Sequence, residues 1–141
     1  MENRFLCRGK RIGNGEWVEG FLVPFAGDEK NRFWQIKKVD DIKKPSISQT
    51  VRVNPSTICR CTGRTDRDEK LIFEHDVIAY LDTYSTESGY AEADCTGEVV
   101  WDEETLSFQV TNRLSAESWE VLDGECKVLG NTIEHPELLE V

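Results

Sequence analysis

No apolar run in this chain approaches the roughly 18 residues needed to cross a bilayer as a helix. The N-terminus Met1-Glu2-Asn3-Arg4 opens no signal-peptide core, so a cytoplasmic protein without a membrane role is expected. No segment sustains a 3.6-residue apolar period, which excludes a helical bundle. Repeats and low-complexity tracts are also lacking. Cations are scarce late in the chain: residues 82–141 hold only Arg113 and Lys127. No Gly-x-Ser-x-Gly, phosphate-cradling glycine loop or His-Glu-x-x-His is present, so the common hydrolase and nucleotide signatures do not apply.

What is present fits one globular domain. The 141 residues are 38% hydrophobic and 31% charged, with 17 basic residues against 27 acidic ones and a formal net charge of −10. That charge repels phosphate backbones at long range, so binding of duplex nucleic acid is not expected. A single domain over 1–141 is the simplest organisation. Subdomains 1–81 and 96–141, joined by a polar loop over 82–95, are the alternative.

The dominant apolar period is two, which predicts strands. Phe5 and Cys7 mark a first strand, and Gly13-Asn14-Gly15 a tight turn. Trp17, Glu19, Phe21 and Val23 alternate with Val18, Gly20 and Leu22. Both faces are partly apolar, which predicts a central strand ended by Pro24. Phe33 to Ile36, Val51 to Val53, Ile58 to Thr62, Leu71 to Phe73 and Val77 to Leu81 read as further strands. Ala26 to Lys30, Asp40 to Pro45 and Gly63 to Lys70 read as turns or loops. Gly97–Trp101 and Leu106–Val110 predict a hairpin around Asp102–Thr105. Short late strands follow at Trp119–Val121 and Val128–Leu129, then one helical turn from Pro136. The four tryptophans, Trp17, Trp34, Trp101 and Trp119, fall in strand-like stretches and are expected in the core.

The residues that carry chemistry favour bland roles. Five cysteines, Cys7, Cys59, Cys61, Cys95 and Cys126, make an odd number in a chain expected to stay reduced. Cys59 and Cys61 share a strand face, side by side, which is poor disulfide geometry. One Cys-x-Cys is too short for a zinc knuckle, so no metal site is expected. Glu74-His75-Asp76 places an imidazole between carboxylates, but strand neighbours face opposite ways and a turn is the simpler reading. No catalytic residue, cofactor or metal ligand is assigned. Arg52, Arg60, Arg64 and Arg67, with Lys37, Lys38, Lys43 and Lys44, form a candidate basic patch near Phe33 and Trp34.

Three stretches resemble the YopX family of phage and prophage proteins. The first is Arg8-Gly9-Lys10-Arg11 with Asn14-Gly15-Glu16-Trp17-Val18-Glu19-Gly20. The second runs from Thr57 through Thr62-Gly63 and Asp66-Arg67-Asp68 to Ile72-Phe73-Glu74-His75-Asp76-Val77-Ile78. The third joins Gly97-Glu98-Val99-Val100-Trp101-Asp102 to Val128-Leu129-Gly130-Asn131 and Pro136-Glu137-Leu138-Leu139. Two departures stand out: Asp68-Glu69 replaces the family's usual Asn-Gly, and His75 replaces its usual Gly. The resemblance implies an all-β fold with an SH3-like barrel in the later half, and self-association. It implies no activity. If the chain keeps the family's backbone, His75 has a positive φ and is a strained turn residue rather than a catalytic base.

The expected protein is therefore a mainly β, non-enzymatic interaction or assembly protein of the bacterial host cytoplasm, with a protein partner and a homo-oligomeric state. The alternative is a nucleic-acid-associated module using the N-terminal basic residues.

Overall fold

The computed structural model describes residues 5–24, 34–38, 50–111, 119–121 and 123–139. The predicted turns over 26–30 and 40–45, together with Phe33, Lys43, Lys44 and Arg113, lie outside them. Chain contacts divide the protein into two units, Met1–Cys61 and Thr62–Val141. That division falls earlier than the 82–95 linker expected from composition.

In the first unit, β1 (Cys7–Lys10) and β2 (Trp17–Pro24) form a hairpin. Gly15 takes φ +71°, and the Asn14 side chain accepts the Glu16 N–H at 3.0 Å, which fixes the turn the sequence announced. β2 pairs on its other side with β3 (Trp34–Lys38), and β3 pairs with β4 (Thr50–Val53). β2 is thus central, as its two-sided pattern predicts. Val18, Ile36, Val51 and Val53 pack together as the core of this unit. Gly20 lies in the β2–β3 ladder, where a Cβ would collide with the Lys37 carbonyl oxygen. The end of β1 meets β4 at one bridge, Arg11 opposite Val53, without a continuous ladder.

β5 (Cys59–Thr65) starts beside β1, with Arg8 opposite Cys59, and runs into the second unit, where β6 (Leu71–Phe73) lies next to it. The second unit carries a five-stranded antiparallel sheet in the order β10-β9-β8-β7-β11. Its strands are β7 (Asp76–Thr86), β8 (Gly89–Asp102), β9 (Ser107–Thr111), β10 (Trp119–Glu120) and β11 (Cys126–Asn131). Ile72, Ile78, Tyr80, Val99, Val110, Val121 and Cys126 form its core. A 3-10 turn at Pro136–Leu139 follows.

The all-β class is as expected, and three expectations are corrected. β10 and β11 end the sheet with no pairing between them among the described residues, so the later half is an open sheet and not an SH3-like barrel. Residues 82–95 are not a loop. They continue β7 and β8 in register from Leu81 opposite Asp94 to Thr86 opposite Gly89. The stretch reads as loop because few of its residues are apolar, so no hydrophobic alternation marks it. Finally, Trp17, Trp34 and Trp101 are not core residues. Trp34 is 40% exposed, and the other two are half-buried. On β2, Val18 faces the core, so Trp17, one residue earlier, points to the opposite face.

Candidate functional site

Antiparallel partners share a sheet face. In the first unit, Val18, Ile36, Val51 and Val53 point inward, so Lys10 with Trp17, Phe21 with Lys37, and Arg52 point outward. The Arg8 guanidinium lies 4.8 Å from the centre of the Trp17 ring and the Lys10 ammonium 5.4 Å from it. Such contacts hold the cations in place over the indole face. Beside this face, Arg11, Ile12 and Asn14 of the β1–β2 turn and Thr50 and Arg52 of β4 line an open groove of about 580 Å³. Ile12 there is 55% exposed. Chemically, the face is a basic surface with aromatic and aliphatic footing.

The basic patch expected from sequence draws on residues of both units. Lys37 and Arg52 lie on the outer face just described. Arg60 is exposed on β5, while Arg64 and Arg67 belong to the second unit, where Arg64 pairs with Asp123 at 3.2 Å. Arg8, Lys10 and Trp17 are the members sequence reasoning left out. Their signal was the strand parity that sets them opposite Gly9 and Val18.

His75 occupies the turn between β6 and β7 at φ +69°. This is the left-handed conformation implied by the Gly that the family uses here. The backbone is held on both sides: His75 N–H donates to the Val99 carbonyl at 2.8 Å, and the His75 carbonyl accepts from Thr132 N–H at 2.9 Å. Its Nδ1 lies 3.0 Å from Glu98 Oε2, and the Thr132 hydroxyl donates to that same oxygen at 2.9 Å. The hydroxyl is therefore directed at the carboxylate and not at the imidazole. A nucleophile–base relay needs the opposite arrangement, with the base taking the hydroxyl proton. The contact between residues 75, 98 and 132 spans three elements, so no local sequence signal could announce it. Asp76 is buried and accepts Phe73 N–H at 2.8 Å, which makes it a turn carboxylate.

A second carboxylate organises the neighbouring turn. Asp66 is 3% exposed. One oxygen accepts the Asp68 and Lys70 N–H groups, each at 2.9 Å, and the other accepts Val128 N–H at 3.0 Å. Burial pushes its acidity down, but the three N–H donors outweigh it and hold the carboxyl below the ordinary aspartate range. Asp66 thereby ties the turn to β11. Within that turn Glu69 takes φ +63°, at the position where the family has Gly.

The cysteines are thiols, and all but the half-buried Cys95 are buried. Burial, with the Asp66 carboxylate second, pushes the Cys126 thiol up to about 11. Burial and the carboxylates of Asp82 and Asp94 push Cys95 up as well. Both therefore stay protonated near neutrality, the unreactive form. Among the described residues no three His, Cys, Asp or Glu side chains gather as a metal-binding group. No helix among them is long and apolar enough to cross a membrane.

Two antiparallel sheets, with carboxylates and glycine-like turns fixing their connections, define an all-β protein of two units. The chain belongs to the YopX protein family, whose sequence profile matches residues 7–140. No curated protein matches it.

Proposed function

We propose that this YopX-family chain is a non-enzymatic interaction or assembly protein that serves a phage or prophage in the cytoplasm of its bacterial host. Its partners are proteins, a second copy of the chain among them. One observation carries the reading: charge is divided between the two units. The first holds 12 Lys and Arg against 7 Asp and Glu, a formal +5, and the second holds 5 against 20, a formal −15, together the −10 of the chain. Charge of one sign concentrated on a unit steers encounter and excludes like-charged partners. The convergence of His75 and Thr132 on one Glu98 oxygen also favours a structural role for the imidazole that the sequence sets between two carboxylates. The test is affinity capture of the tagged full chain from phage-infected host cells, read by mass spectrometry. A protein recovered in stoichiometric amount supports the reading, and recovery of the bait alone as a monomer contradicts it.

The outer face of the first unit supports a second reading, a nucleic-acid-associated module. Trp17 with Arg8 and Lys10, and Phe21 with Lys37, combine aromatic and cationic groups as single-strand binders do. Fluorescence anisotropy with labelled oligothymidylate tests it. Binding that weakens steeply with salt and is lost in Trp17→Ala supports this reading.

A further inference from the structure

Among the described residues, β7 and β8 outrun their neighbours: β11 pairs with β7 as far as Tyr80, and β9 pairs with β8 from Glu98 onward. From Leu81 opposite Asp94 to Thr86 opposite Gly89, the hairpin continues as two strands. Among the described residues, no other strand pairs with this arm. Open strand edges present unpaired N–H and C=O groups, and proteins usually protect them with Lys, Pro or a bulge. The arm from Leu81 to Asp94 contains no Lys, Arg or Pro, and its pairing is continuous. It carries four acids, Asp82, Glu87, Glu92 and Asp94. On the face shared by Leu81, Thr83, Tyr90, Glu92 and Asp94, Tyr90 is 85% exposed and Leu81 52%.

We propose that the arm of β7 and β8 is a docking edge to which a cationic extended segment of another protein adds as a further strand. Backbone pairing along the open edge supplies the attachment. The four carboxylates select Lys or Arg on the incoming strand, and they set two arms of this protein against each other, because like charges on paired strands repel. Leu81 and Tyr90 give the incoming strand an apolar contact at the base of the arm and one near its tip, and the Tyr90 ring accepts a guanidinium on its face. This inference rests on the interaction reading above but has its own test. Host-cell capture reports on that reading, whereas a defined peptide reports on the arm.

The experiment is an NMR titration of the isotope-labelled full chain with a short synthetic peptide alternating Arg and Val. A peptide alternating Glu and Val serves as the control. The expected result is saturable shifts confined to amides 81–94 and slower hydrogen exchange at some of them, with no response to the Glu peptide. Raised salt weakens the binding. The variant Asp82→Lys/Glu92→Lys/Asp94→Lys, its fold checked by its unchanged remaining amides, loses about tenfold or more in affinity. Shifts elsewhere in the protein, or binding without exchange protection, overturn strand addition at the arm. Equal binding of both peptides overturns the charge selection. Arm shifts that follow protein concentration alone would show that a second copy holds the edge, which also overturns the proposal.

Discussion

His75 Nδ1 sits 3.0 Å from Glu98 Oε2 while its own backbone is held at φ +69°, so the residue that strains this turn also ties it to β8. The two effects oppose each other. A Cβ in the left-handed region costs roughly 1–2 kcal/mol, and the side-chain bond returns about 0.5–1.5 kcal/mol.

His75→Gly removes both effects and also loosens the unfolded chain by roughly 0.4–1 kcal/mol. Its stability is expected within about 1 kcal/mol of the parent. His75→Ala keeps the strain but loses the bond, so it is expected to be the less stable variant by about 0.5–1 kcal/mol. Urea denaturation of both variants checks the order. Alanine equal to or better than glycine would contradict the strain.

Glu69 gives a cleaner case. It is exposed at φ +63°, and no side-chain bond to another described residue offsets the strain. Glu69→Gly is expected to raise stability by about 0.5–1 kcal/mol, the strain relieved less the entropy gained by the unfolded chain. A fall in the denaturation midpoint would contradict this.

Asp66 makes stability depend on pH. Its folded carboxyl titrates below the ordinary value of 3.8. The contribution is therefore present in full above that value and lost as pH falls through the folded one. Asp66→Asn turns an amide N–H₂ toward one of the three donors and is expected to cost about 2–4 kcal/mol at neutral pH. The gap between parent and variant should narrow on acidification below about pH 4. A gap that stays constant to low pH would show that the carboxylate charge is not what the turn uses.

Gly20→Ala tests the packing of the first unit. A methyl group there meets the Lys37 carbonyl oxygen, which is fixed in the β2–β3 ladder. The expected cost is about 3 kcal/mol or more, since backbone must move to admit it. Unchanged thermal unfolding would contradict the close approach of Gly20 to Lys37 in the β2–β3 ladder.

Strand positions were legible wherever one face reaches the core. The alternation from Trp17 to Val23, the Asn14-Gly15 turn and the Asp102–Thr105 hairpin loop all announced themselves. The arm did not. Its apolar residues are too few to set a period, and only the register with its partner reveals it as strand. Trp17 was misplaced for a related reason: a large aromatic side chain suggests burial, but strand parity sent it outward to Arg8 and Lys10. The convergence of His75, Glu98 and Thr132 and the Val128 donor to Asp66 depend on residues far apart in the chain. Local pattern cannot place them. The turn itself was legible, from the turn preference of Asp76 and from the glycine that the family uses at residue 75.

The charge division between the units is tested most directly by repeating the host-cell capture with two full-length variants. One carries Lys10→Glu, Lys37→Glu and Arg52→Glu on the outer face of the first unit, and the other Asp82→Lys, Glu92→Lys and Asp94→Lys in the second. The parent chain is expected to recover at least one protein in stoichiometric amount, added salt to release it, and one of the two reversals to abolish its recovery while the other leaves it intact. Identical recovery by the parent and both variants, unaffected by salt, would contradict it.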